Sequence, residues 1–559
     1  MLFLRNSQLN GRWPRGRLTS SIVPSALRSS ANVSVAILVS RVLGVVRDAI
    51  FARVFGVSGL TDAYVAAFRI PNLLRDLFAE GALSSAFVPT FSDALNRGGR
   101  ERAFRLGNLV LGSVLALTGG LTLAGMVFSD ELVALISRGF NGNAAQVALG
   151  GLFAQIMMPI LALVSVSAVW MGMLNAQHHY LAPAYAPAMF NVTSILCGVA
   201  LILVHPSDRT GMIVWSAGTT ASGLVQAVVQ LPSLWRLGYR ARPTLAGLWR
   251  DSDLIRIVRL MGPATVGLAA VQINIFVNTQ FAAALGQGPL TYLQNAFRLF
   301  YLPVGLFGVA LATVTTARAS QEAARGDREA LQARVAEGTR GVWLLALPSA
   351  VGLIVLARPV VELLFQGGKF LAANTAATVP IVQGYMLGVL PYSLVKVLSP
   401  AFFTVDRPRI PMLASMAAVV ANLLFNGLTY RHLGATGLAL GTTIGALANL
   451  AVLRLRFGGV IGRAPRGGRW HEVARLILCN FVLAAVAAAA WWASSWLLTR
   501  AGIAWPWGTR RLAHALLLFA TIGVGFVSYG LGLRLLRLPG ADELWELPRR
   551  IFARLRGTR

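Results

Sequence analysis

SRVLGVVRDAIFARVFG at residues 40–56 and TDAYVAAFRIPNLLRDLFAEGALSSAF at 61–87 pose the question that decides the fold. Both stretches are apolar enough to seek lipid, yet Arg41, Arg47, Asp48, Asp62, Arg69, Arg75, Asp76 and Glu80 lie inside them or at their ends. An ionised side chain at the centre of a bilayer costs about 2.5–3.5 kcal/mol even on a lenient insertion scale, so several of them facing lipid together would not be tolerated. Arg41 and Asp48 are seven residues apart, which places both on one helical face roughly 10 Å apart along the axis. Asp62 and Arg69 repeat that spacing. These faces are expected to line a polar cavity inside a bundle of membrane helices. Arg53, nearer the end of its helix, is read instead as reaching for the interface.

The rest of the chain carries the same signature. With 559 residues, 56% of them hydrophobic and 13% charged, and a mean hydropathy of +0.64, it needs lipid as its solvent. Apolar windows of spanning length fall near 32–56, 61–95, 106–128, 147–174, 182–204, 212–235, 253–285, 289–317, 341–363, 375–403, 410–430, 435–453, 476–498 and 512–533. The expected fold is therefore all-α and polytopic, with fourteen transmembrane helices. Bends are expected at Pro71, Pro263, Pro303 and Pro391, because proline removes a helical hydrogen bond. Of the 50 Lys and Arg residues, 35 lie in the N-terminal tail, the C-terminal segment and alternate connections, against 7 in the opposite set. The positive-inside rule then puts both termini in the cytoplasm. The net charge of +29 is largely this topology signal, so no nucleic-acid partner is expected. Cys197 and Cys479 fall in apolar runs and read as small buried side chains, not a disulfide framework.

A duplication is visible in the chain itself. Ala67-Phe68-Arg69 recurs as Ala296-Phe297-Arg298, and Leu77-Phe78 as Leu306-Phe307, both at an offset of 229. Further on, Glu131-Leu132 and Gly139-Phe140 resemble Glu362-Leu363 and the Gly368-Lys369-Phe370 turn. An even number of spans per copy inserts both copies the same way round. Two parallel six-helix lobes around a central cavity are one way transporters build such a site. The expected division is a basic cytoplasmic tail at 1–31, an N-lobe at 32–235, a cytoplasmic linker at 236–252, a C-lobe at 253–453, a cytoplasmic loop at 454–475, two further spans at 476–533 and a basic cytoplasmic tail at 534–559.

SRVLGVVRDA at 40–49, TDAYVAAFRIPNLLR at 61–75, FAEGALSSAFVP at 78–89 and FGVALAT at 307–313 closely resemble the MurJ/MviN lipid II flippase family of the multidrug/oligosaccharidyl-lipid/polysaccharide exporter superfamily. The resemblance implies a carrier that moves the peptidoglycan precursor lipid II across the bacterial inner membrane by alternating access. It also implies a groove for the polyprenyl tail formed by the last two spans. By motif, the family's cavity arginines fall on Arg41, Arg47, Arg75 and Arg298, with a further basic position at Arg69, and its acidic partners on Asp48, Asp62 and Glu80. Arg47, Arg75 and Arg298 would hold the diphosphate, which suits the paired donors of a guanidinium, and Asp48 would hold Arg47. The acidic ligands of a sodium site found in some family members are matched here by Asn278 and Asn426, so no metal site and no cofactor is expected.

The implied partners are lipid II, membrane lipids and proteins of cell-wall synthesis. The nearest alternative is a flippase for another undecaprenyl-diphosphate-linked oligosaccharide. An enzyme acting on the same lipid would need a catalytic carboxylate or histidine on an outer loop, where 129–146 and 499–511 offer only Asp130 and Glu131.

Overall fold

A computed structural model describes residues 22–77, 82–137, 140, 143–462, 469–500 and 507–538. Glu80 lies outside the described residues, as do most of the two terminal tails and residues 463–468.

The first half comprises α1 (Ile22–Phe55), α2 (Gly59–Arg75), α3 (Ala82–Val127), α4 (Ser129–Ile136), α5 (Ala144–Met157), α6 (Pro159–Ala176), α7 (Leu181–Val204), α8 (Asp208–Val228) and α9 (Leu231–Arg236). The second comprises α10 (Ser252–Ala283), α11 (Pro289–Pro303), a π-helical turn (Val304–Val309), α12 (Ala310–Ala324), α13 (Arg328–Val355), α14 (Ala357–Leu364), α15 (Ala372–Met386), α16 (Val389–Phe403) and α17 (Arg409–Val460). Two last helices, α18 (Arg469–Arg500) and α19 (Trp507–Leu535), pack on each other and on α13. Polar caps mark where the chain leaves its apolar runs: Ser58 starts α2, Asn143 α5, Ser207 α8, Asp251 α10 and Asp327 α13.

Ten helical stretches among the described residues are long and apolar enough to cross a bilayer. Two long helices are each a pair joined at a left-handed glycine, Gly99 in α3 and Gly434 in α17. Large apolar side chains such as Leu203, Leu428 and Leu455 stand on the outside, where only lipid can cover them. The protein is a multi-pass membrane protein, and its helix order is consistent with fourteen crossings.

The duplication is visible in three dimensions. Short helices α4 and α14 occupy matching places in the two halves, and the left-handed residues His205 and Gly434 are 229 apart. In each copy the helix carrying the Ala-Phe-Arg motif leaves α-geometry shortly after it, at Asp76–Leu77 and at Val304–Val309. The expected bend at Pro303 coincides with the second of these. Pro391 acts a turn earlier, where α15 gives way to α16 at Leu387–Gly388, as the clash of a proline ring with the carbonyl four residues back requires. Pro71 is accommodated inside α2, and α10 runs unbroken through position 263.

The cores show how the lobes meet. One buried cluster contains residues of both lobes, with Ala52, Ala63, Ala67, Ala296 and Ala346 allowing close approach of the backbones. Toward the arginine-rich face the cores separate, one in the N-lobe around Phe91, Leu106 and Tyr239 and one in the C-lobe around Phe402 and Leu453. The lobes are thus welded at one face and distinct at the other. Helix α10 spans the division. Its start packs on the N-lobe through Leu254 and Ile257, with Arg102–Asp253 at 2.7 Å and Arg256–Asp93 at 2.9 Å, while its body packs on α17. Just before α10, the Tyr239 hydroxyl donates to Asn108 Oδ1 at 2.6 Å, and burial pushes this phenol's pKa up, so it remains a donor.

Candidate functional site

The site begins on α1, where Arg47 and Asp48 face the division between the lobes. Arg47 donates to one oxygen of Asp48 through Nε at 2.9 Å and Nη2 at 2.7 Å, and through Nη1 to Asn191 Oδ1 at 3.0 Å. Asn191 in turn donates to the Ser40 carbonyl at 3.0 Å, and the Phe190 ring lies 5.7 Å from the guanidinium carbon. The other Asp48 oxygen pairs with Arg298 Nε of α11 at 2.7 Å. One carboxylate, 8% exposed, therefore holds an arginine of each lobe. Such a charge survives in a low-dielectric interior only when paired and hydrogen-bonded.

Around this trio lie Phe51, Tyr64, Phe68, Trp215, Gln294 and Asn295, enclosing about 30 Å3, room for no more than a few waters. Trp215 Nε1 donates to the Tyr64 hydroxyl at 3.1 Å, which also meets Thr219 Oγ1 at 3.1 Å. Asn295 is buried and its amide nitrogen has no hydrogen-bond partner among the described residues. Asn191, Gln294 and Asn295 were not among the expected site residues. Their signal was present, a neutral polar residue inside an apolar run, but it is far weaker than a charge.

The remaining expected residues divide. Arg75 pairs with Asp76 at 3.0 Å, and Arg69 lies within electrostatic range of Arg298 and Tyr385. Arg41 reaches across to the second lobe. Its guanidinium lies against Gly305 in the π-helical turn, so closely that a β-carbon there would collide with it. Asp62 does not face the trio. It is fully buried where α2 meets α11, accepting from Gly288 N at 2.5 Å, Thr291 N at 2.9 Å and Thr291 Oγ1 at 2.6 Å. It thus caps the N-terminus of α11, whose own N-cap residue, Gly288, has no side chain to do so. Asp62 and Thr291 are 229 apart, so equivalent positions of the two copies touch.

The same end of the bundle carries further ties between the lobes. Arg53, expected at the interface, instead donates through Nη2 to the carbonyls of Leu363 and Leu364 at 2.8 and 2.9 Å, capping the C-terminus of α14. Lys369 N donates to the Arg53 carbonyl at 2.9 Å, and the Lys369 ammonium pairs with Asp208. Gly368, at φ +56°, lets the turn approach so closely that a β-carbon would strike the Arg53 carbonyl. Cys479 is buried as expected, whereas Cys197 is half-buried.

Asn278 and Asn426 join Asn422 in an amide cluster tying α10 to α17. Asn278 Nδ2 donates to Asn422 Oδ1 at 2.9 Å, and Asn426 Nδ2 to Asn278 Oδ1 at 2.6 Å. Outside the lobes, an apolar groove of about 680 Å3 runs between Pro303–Phe307, α13, α18 and α19.

Residues 51–505 match the family described as "Lipid II flippase MurJ". The probable lipid II flippase MurJ of Vibrio cholerae is 32% identical over 531 residues, covering 92% of this chain and 98% of that protein. The lipid II flippase MurJ of Burkholderia cenocepacia is 32% identical over 443 residues, covering 78% and 85%. Among solved structures, lipid II flippase MurJ in an inward closed conformation matches with a TM-score of 0.72 at 22% identity, over 90% of this chain and 99% of that one. An inward-facing multidrug transporter of the MATE family matches with a TM-score of 0.62 at 17% identity, over 75% and 95%. On the family match and the full-length relatives, the chain belongs to the MurJ lipid II flippase family.

Proposed function

We propose that the chain is an inner-membrane flippase that carries lipid II from the cytoplasmic to the periplasmic leaflet by alternating access, without catalysing a covalent step. The observation that carries this reading is the pairing of Arg47 and Arg298, one from each lobe, on the single carboxylate of Asp48. A diphosphate entering there offers more acceptor oxygens than Asp48 does, so it competes for both guanidinia and draws the two lobes onto itself. Arg69 and Arg75 supply further positive charge near Arg298, and Asn295 supplies an amide donor for the uncharged part of the headgroup.

The arginine-rich face is assigned to the cytoplasm, with both termini on that side. The welded face is then periplasmic, closed by Asp62 on α11 and by Lys369 with Arg53 and Asp208. A space of about 30 Å3 cannot hold a disaccharide, so the lobes must part on the cytoplasmic side to load and on the periplasmic side to release. The groove beside α18 and α19 would keep the polyprenyl tail in an apolar setting throughout.

The test replaces Arg47, Arg75 or Arg298 by Ala in a strain depleted of its own flippase, with membrane insertion checked by immunoblot. Lipid II should accumulate in the cytoplasmic leaflet and growth should stop. Lysine replacements should also be impaired, because lysine lacks the paired donors. Full complementation by all three alanine variants would overturn the reading.

A further inference from the structure

The apolar groove has a charged mouth that the transport cycle above does not use. Leu344 of α13 lines both the groove and a second cavity of about 200 Å3, whose walls include Trp343, Arg340, Arg454 and Glu472. Arg340 lies one helical turn from Leu344 on the side toward the arginine-rich face, and Arg454 comes from the end of α17. Both arginines are exposed. A third cavity of about 350 Å3 shares Arg340 and adds Arg318, Arg334 and Glu337. Within it Arg318 and Arg334 both pair with Glu337 at 3.2 Å, and Arg334 also pairs with Glu322 at 3.7 Å. Four arginines and two glutamates line the two cavities, and Glu322 adds a third carboxylate beside Arg334, so the lining stays net positive, as an anionic ligand requires. The Tyr529 hydroxyl donates to the Leu344 carbonyl at 3.0 Å, which pins α19 to α13 where groove and mouth join.

We infer that this mouth is a loading site, which receives the diphosphate of the polyprenyl-linked substrate at Arg340 and Arg454 while the tail lies in the groove, before the headgroup enters the central cavity. The inference rests on the flippase reading. Any membrane phosphodiester shares the chemistry of an apolar chain ending in an anion at the interface, but the length of the groove selects between them. Its lining follows α13 from Leu344 to Leu356, about 18 Å at 1.5 Å per residue, and continues to Val360 of α14. That exceeds one leaflet of a hydrocarbon core about 30 Å thick. An acyl chain of a phospholipid ends within its own leaflet, whereas a polyprenyl chain runs on. The groove also borders Pro303–Phe307, and Gly305 in that turn touches Arg41. The groove therefore shares this turn with the wall between the lobes, along which a headgroup would pass from the mouth to the central cavity.

The probe is undecaprenyl diphosphate, which has the tail and the diphosphate but no sugar, added to the full-length protein in bilayer nanodiscs and counted by native mass spectrometry. The double variant Arg340→Ala/Arg454→Ala should bind it at least about tenfold more weakly than the unmodified protein, the loss expected of charge-assisted hydrogen bonds. In reconstituted transport the same variant should need a correspondingly higher mole fraction of lipid II to reach half its maximal rate, with the loss recovered at saturation. Phosphatidylglycerol at equal mole fraction should not displace the probe. Unchanged binding by the variant would overturn the loading site, and displacement by phosphatidylglycerol would reassign the mouth to a resident phospholipid. If the unmodified protein neither binds the probe nor moves lipid II, the flippase reading itself fails. If it does both and the double variant matches it, only the loading site fails.

Discussion

Asp62→Asn should shift the protein toward opening on the face where α2 meets α11. The wild-type carboxylate is fully buried and accepts three hydrogen bonds, from Gly288 N, Thr291 N and Thr291 Oγ1. An amide keeps one acceptor oxygen and turns an NH2 group toward one of the backbone donors, so one buried N–H loses its partner at a cost of about 1–3 kcal/mol. The attraction between a negative charge and the start of α11 adds about 0.3–1 kcal/mol to the loss. Working against these, Asn no longer bears the desolvation cost of a buried carboxylate. In the wild type that cost is partly offset by three hydrogen bonds, of which an amide keeps the two from Thr291, so we expect the loss to win by about 2 kcal/mol, or roughly 30-fold in the closed-to-open ratio.

The assay is labelling of Gln294→Cys, on the cavity wall, by a membrane-impermeant maleimide added from outside, in a background with Cys197 and Cys479 replaced. The initial labelling rate follows the open fraction. It should rise strongly in Asp62→Asn and less in Thr291→Val, which removes only the hydroxyl at about 1 kcal/mol or roughly fivefold. Labelling in Asp62→Asn equal to or slower than in the parent would refute the argument that this carboxylate holds the outer seal.

Gly305→Ala should displace the Arg41 guanidinium and slow transport, because the added β-carbon falls where the guanidinium lies; unchanged transport in Gly305→Ala would show the contact to be dispensable. Since Asn278, Asn422 and Asn426 are neutral amides tied to one another by hydrogen bonds and bring no negative charge to offset the desolvation of a cation, transport should not change when sodium is replaced by potassium at constant pH and membrane potential. A steep fall in the initial rate of lipid II transfer would disprove this. Ending the chain after about residue 470 should leave an inserted protein that does not transport, because one side of the groove is lost with α18 and α19; growth supported by that truncation would rule out a required tail groove.

Composition and pattern determined the solvent of this protein, the doubling of its architecture and the set of charges that must turn inward. The reason is that each rests on a large free-energy term that is local in the chain: the cost of an ionised group in lipid, the requirement that a spanning backbone satisfy its own hydrogen bonds, and a repeat that can be read residue by residue. The Arg47–Asp48 pair was legible in the same way, since its members are adjacent. Which charge meets which across the lobes was not legible. Helical periodicity assigns a residue to a face but says nothing of the element opposite, so Asp48 shared with Arg298, Arg41 laid on Gly305 and Arg53 capping α14 emerged only when the lobes were packed together. Asp62 shows the limit most clearly. Its type and spacing matched the cavity residues, but the backbone of α11 needed an acceptor at Gly288 and Thr291, and that demand exists only once two equivalent helix starts meet in space.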